Sequence, residues 1–127
     1  MTLSDQQYLF AKDFIYLGIY IRDDEEIDKF SIGEVWRPLG WQKILYEQGK
    51  SQVLKGDHQD KMACDIYFWI NGKFVKNEWE NKPLLLEIGE YWEGLSQYNY
   101  WGGNFESFCD LNHFGRRKII NYLNNSD

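Results

Sequence analysis

Residues 63–75, ACDIYFWINGKFV, constrain the fold more than any other stretch of this chain. Ala63 to Ile70 is rich in β-formers, and Asn71-Gly72 follows at once. A two-residue hairpin turn needs positive φ at both central positions, and Asn-Gly accepts that geometry most readily. The segment is therefore predicted to run as a strand over 63–70, turn at 71–72 and return through Lys73–Asn77. Alternation puts Ala63, Asp65 and Tyr67 on one face and Cys64, Ile66 and Phe68 on the other. A carboxylate thus stands near the start of a strand whose other face is apolar.

Helical patterns surround this hairpin. Residues 4–21 read as a helix, with Ser4 and Gln7 as a capping box and Phe10, Phe14, Leu17 and Ile21 on one face. The acidic run 22–29 reads as a solvated loop, and residues 30–36 as a short strand ending at Arg37-Pro38. Pro38 suits the first turn of a second helix, which carries Trp41, Ile44, Leu45 and Gln48 and stops at Gly49. Pro83 begins a third, with Leu84, Leu85, Ile88, Tyr91 and Trp92 on one side. Residues 100–108 read as turn plus strand, 116–123 as a terminal helix, and the last four residues as a frayed end. Helices and antiparallel hairpins are segregated, so the expected class is α+β, a small antiparallel sheet with helices packed around it. A length of 127 residues fits one domain, 1–127, with a core that needs no staple.

Charge and cysteine content narrow the function. A net charge of −6 offers no basic face for phosphates, which excludes nucleic acid as the expected partner. No apolar run is long enough to span a membrane, and no basic-then-apolar leader is visible at the start. Cys64 and Cys109 form no C-x-x-C pair, which rules out a four-cysteine zinc knot; they read as reduced, spectator thiols. The expected state is a monomer.

The two histidines are the chain's scarcest polar signal, and each lies beside an aspartate: His58 in GDHQDKMACD, His113 in FCDLNHFG. Either pair alone is ordinarily a hydrogen-bonded surface pair. If the two segments meet, neutral His58 and His113 with ionised Asp65 make three metal donors and leave a fourth tetrahedral position open, the pattern of a catalytic zinc site. A turn through Leu111-Asn112 brings Asp110 to the same side as the non-ligand carboxylate that handles a proton.

Taken in order, these blocks resemble the zinc peptidases of the D-alanyl-D-alanine carboxypeptidase and VanY-like family, especially the phage L-alanyl-D-glutamate endopeptidases that act as endolysins. That family shows Ser-x-His, six residues, then Asp; later an Asp or Glu stands three residues before a second His that an aromatic follows. GDHQDKMACD and DLNHF match these blocks, VWRPLGWQKILYEQGKS resembles the family's arginine segment and helix, and YWGGNFESFCDLNHF its Trp-Gly-Gly segment. The resemblance covers residues 35 to 115. It implies a Hedgehog/DD-peptidase-like fold, Zn²⁺ on His58, Asp65 and His113, and Asp110 as catalytic acid-base. Arg37 would hold a substrate carboxylate or stabilise an oxyanion, or else simply cap a helix–strand junction. Trp101, with Gly102 and Gly103, would shape the cleft wall and touch substrate, or else belong to the core.

The implied partner is the stem peptide of bacterial peptidoglycan, cut at the L-alanyl-D-glutamate bond. The implied setting is phage lysis, the enzyme being made in the host cytoplasm and acting on the wall after release. A D,D-carboxypeptidase or dipeptidase with the same zinc site, or a non-catalytic zinc-stabilised wall-binding module, are the alternatives. The chain departs from the family at Gly56, where serine is usual, and at Lys61, where glycine is usual; the second change opens a different backbone path.

Overall fold

A computed structural model describes residues 1–51 and 56–119. Three helices, α1 (Leu3–Asp23), α2 (Leu39–Glu47) and α3 (Lys82–Leu95), accompany five strands: β1 (Lys29–Ile32), β2 (Ala63–Ile70), β3 (Lys73–Phe74), β4 (Asn99–Trp101) and β5 (His113–Arg116). The strands form one antiparallel sheet in the order β1-β2-β5-β4, with β3 folded back on the end of β2. This is the α+β class that the sequence predicts.

Strand β2 is the sheet's axis. Its apolar face, Cys64, Ile66 and Phe68, is fully buried and meets Phe10, Leu17 and Ile21 of α1 and Leu85, Ile88 and Trp92 of α3 in one core. Each such side chain contributes about 1.5–3 kcal/mol on removal from water. The hairpin turns where Asn-Gly requires it, with φ of +53° at Asn71 and +74° at Gly72. Its return strand is short: β3 stops at Phe74, and Val75 joins the core instead.

Helix α1 is capped by Thr2 and Asp5, not Ser4 and Gln7: the Thr2 hydroxyl accepts from the Asp5 N–H at 3.1 Å, and the Asp5 carboxylate accepts from the Thr2 N–H at 2.9 Å. A carboxylate in the first turn also suits the positive end of the helix dipole, which favours this frame. Gln7 instead donates to the Asp60 carbonyl at 2.9 Å, tying α1 to the turn that carries His58. Helix α2 follows Pro38 and ends just before Gly49, as expected. Trp41 and Ile44 are exposed, and Gln42 is its buried residue. The helix lies along the rim of a cleft, so its polar side faces inward. Arg116, expected to begin a terminal helix, closes β5, and residues 117–119 continue without helix; the rest of that expected helix, 120–123, lies outside the described residues.

Helix α3 is fastened to the sheet by polar as well as apolar contacts. The Trp92 indole N–H donates to the carbonyls of both Tyr100 and Gly115 at 3.0 Å, bridging β4 and β5 at their shared register.

Candidate active site

Asp65 and His113 face each other across the β2–β5 ladder. The Asp65 backbone bonds on its other side: its carbonyl accepts from Gly33 N–H at 2.7 Å, and its own N–H donates to the Glu34 carbonyl at 3.0 Å. Asp65 and His113 therefore exchange no ladder bonds, and such non-bonded pairs bring their side chains closest. Gly33 and Glu34 set against one residue make a β-bulge, which bends the chain so that residues 34–37 pass beside the site. A Cβ on Gly33 would stand 2.8 Å from the Tyr67 ring, so the bulge needs a glycine there.

His58 arrives on a turn over residues 57–61. Lys61 in that turn has φ of +58°, the left-handed conformation that glycine adopts most readily. The lysine thus takes the path open to glycine, not the different one expected from the sequence. His58 Nδ1 bonds the Val35 carbonyl at 3.0 Å. A carbonyl can only accept, so Nδ1 carries the proton and Nε2 presents its lone pair. That Nε2 lies 3.5 Å from Asp65 Oδ1, and His113 Nδ1 lies 3.7 Å from the same oxygen. The two rings meet edge-on with centroids 5.2 Å apart.

The two segments do meet, and the donor set fits a metal. One ligand atom each from His58, Asp65 and His113 lies within 4.8 Å of the other two. Zinc–nitrogen and zinc–oxygen bonds of about 2.0–2.2 Å put tetrahedral donors about 3.3–3.6 Å apart, close to the two distances measured. His113 Nε2 bonds the Tyr100 hydroxyl at 3.1 Å, and that hydroxyl donates to the Asp57 carboxylate. With its hydrogen given to Asp57, Tyr100 must accept from His113, so Nδ1 of a neutral His113 is also a lone pair. Three acceptors converge here, an arrangement that a cation relieves. Burial pushes the Asp65 carboxyl up, but hydrogen bonds and charge from protonated His113 and His58 outweigh it and hold Asp65 well below the usual carboxylate range, a task that falls to a cation once both rings are neutral.

Asp110 Oδ2 lies 3.9 Å from His113 Nδ1, beside the three donors and outside their group. Burial raises its affinity for a proton; His113 opposes this and Asp65 adds to it. Arg37 directs Nη2 toward Asp65 Oδ2 at 3.6 Å, while Nε pairs with Glu34 and Nη1 donates to Gln42 Oε1 at 2.7 Å. His58, Asp65, Asp110, His113 and Arg37 line a cleft of about 610 Å³ together with Phe105 and Phe108. That volume is in the range of small-ligand and peptide clefts.

Trp101 lies elsewhere. It is fully buried, its indole N–H donates to the Leu111 carbonyl at 2.8 Å, and its ring packs against Gly89 and Gly103. It supports the 110–113 turn from behind and offers no surface to a substrate. Asn77, which the sequence does not mark out, clamps the same turn from the front. Its side chain donates to the Cys109 carbonyl at 2.9 Å and accepts from the Leu111 N–H at 2.7 Å. Cys64 points into the core, away from the donors, and burial pushes its thiol up to about 12.

Fold and site together define an α+β domain with a buried His-Asp-His cluster open to a cleft. No family model and no curated protein sequence matches the chain. Among solved structures, it is similar to the Serratia marcescens L-Ala D-Glu endopeptidase ChiX, with a TM-score of 0.54 and 24% identity over 69% of this chain. The chain spans 66% of that protein's length. The likeness is one of fold. Among the described residues, no helix is long and apolar enough to cross a membrane.

Proposed function

We propose that this protein is a zinc-dependent peptidoglycan peptidase that hydrolyses the stem peptide at the L-alanyl-D-glutamate bond, as an endolysin of the phage type. The observation that carries this is the convergence of His58 Nε2, Asp65 Oδ1 and His113 Nδ1 at the floor of an open cleft, with Asp110 alongside but not among the donors. The fold likeness to an L-Ala D-Glu endopeptidase supports the choice of bond.

Zinc held by the three donors supplies Lewis acidity, acidifying water and polarising the scissile carbonyl. The protein's own groups do the rest. Asp110 takes the proton from the attacking water and returns it to the leaving amine. Arg37, fixed by Glu34 and Gln42, directs its remaining nitrogen at Asp65 Oδ2 on the cleft lining, where the guanidinium would also meet a substrate carboxylate or a developing oxyanion. Trp101 and Asn77 hold the 110–113 turn between them.

Digestion of purified peptidoglycan, with mass spectrometry of the fragments, tests this. New alanine carboxyl and glutamate amino termini are expected, and a chelator should abolish them. Release of terminal D-alanine alone would instead identify a carboxypeptidase. Intact peptidoglycan at saturating zinc would leave a wall-binding module.

A further inference from the structure

Behind His113 runs a hydrogen-bonded line that ends in a carboxylate. His113 Nε2–H donates to the Tyr100 hydroxyl at 3.1 Å, and the hydroxyl donates to Asp57 Oδ2. We infer that Tyr100, backed by Asp57, is the positioning residue of the metal centre, holding His113 in the tautomer and ring orientation that present Nδ1 to the ion. The inference rests on the zinc reading above and names what makes that ligand set work.

Three features show that the place is built. Tyr100 stands opposite Gly115 in the β4–β5 ladder, and a Cβ on Gly115 would lie 2.5 Å from the phenol. Glycine there lets the ring lie across β5 to reach His113, two residues along. The Tyr100 ring is held by two neighbours, stacked on His113 with centroids 5.4 Å apart and covered by the Arg117 guanidinium at 5.1 Å. Asp57 immediately precedes His58, so one turn supplies both a ligand and the carboxylate that anchors the other ligand's partner. The two histidines are thereby set against each other by a single short segment.

The chemistry follows from the donor order. A histidine ligand commonly gives its second N–H to a carboxylate or carbonyl, which fixes the tautomer and makes the ligating nitrogen more basic. His58 does this directly, with the Val35 carbonyl. His113 does it through a phenol, whose hydroxyl passes the influence of the Asp57 charge to the ring.

The test uses the full chain, with Zn²⁺ affinity read by competition against a chromophoric chelator and ligand geometry read from the visible bands of the Co²⁺ form. Tyr100→Phe keeps the ring and removes the hydroxyl. It should weaken zinc binding about tenfold, shift the cobalt bands and leave the melting temperature of the metal-free protein unchanged. Asp57→Asn should show a smaller loss of the same kind, and the double variant should be no weaker than Tyr100→Phe alone, because both act along one path. Zinc affinity within twofold of wild type in Tyr100→Phe, with unchanged cobalt bands, would overturn the inference. If Tyr100→Phe also lowers the metal-free melting temperature, Asp57→Asn decides: weakened zinc binding supports the relay, and wild-type binding sinks it. Wild-type protein that binds no zinc overturns both the relay and the zinc centre. Wild-type binding that is lost in His113→Ala but kept in Tyr100→Phe overturns the relay alone.

Discussion

Asp110 and the three donors are separable by substitution, because only the donors meet at one point. Asp110→Ala should lower the rate of peptidoglycan cleavage by about 10²–10⁴-fold, the usual worth of a general acid-base group. Zinc bound per chain should stay at the wild-type level, as read by elemental analysis. His58→Ala should lose both. The cysteines give a second residue-scale prediction. With its thiol pushed up to about 12 and no exposed surface, Cys64 has almost no thiolate at neutral pH and should resist alkylation until the protein unfolds. Cys109, partly exposed, should react first and faster as pH rises, as mass spectrometry of the labelled protein will show. His58, Asp65, His113 and Asp110 could be read from the sequence because histidine is so scarce here and each ring has an aspartate near it. Tyr100 and Asp57 could not. Nine tyrosines are on offer, and which one reaches a histidine depends on the β4–β5 register, which no local pattern states.

Elements, more than single side chains, set how the site is held. The 110–113 turn sits directly on Gly102, where a Cβ would fall 2.2 Å from the Asp110 carbonyl oxygen and 2.9 Å from His113 Cβ. Gly102→Ala should therefore cost about 1–3 kcal/mol through overpacking and weaken zinc binding as the turn moves, measured by denaturant unfolding and metal competition. The turn carrying His58 should respond in the opposite sense. Lys61 holds a left-handed backbone that costs a non-glycine residue about 1–2 kcal/mol. Lys61→Gly should raise the denaturation midpoint, less the entropy that glycine brings. Strand β2 and its Asn-Gly turn were legible because alternation and turn chemistry agree there. The inward face of α2 was not, since no local pattern says which side of that helix meets the rest of the chain. The helix borders a polar cleft, where Gln42 pairs with Arg37.

At the scale of the whole molecule, the proposed ion ties together segments far apart in the chain: the turn at 58, strand β2 at 65 and strand β5 at 113. A ligand that binds only the folded form stabilises it by mass action. Free zinc at a hundred times its dissociation constant should add about 2.7 kcal/mol, and a chelator should remove that increment from the melting curve. A flat response would count against a built metal site. The α+β class and the core-facing sides of α1, β2 and α3 were legible from helical and strand periodicities, but the order β1-β2-β5-β4 was not, because it depends on which distant strands choose each other.

The facing of Asp65 and His113 across one ladder step has a practical side. A slip of β5 by a single residue would swing His113 to the opposite side of the sheet and Phe114 into its place. Uptake of the ion by a refolded batch would therefore count the molecules whose strands have found their native partners, giving a titratable gauge of correct assembly that needs no substrate.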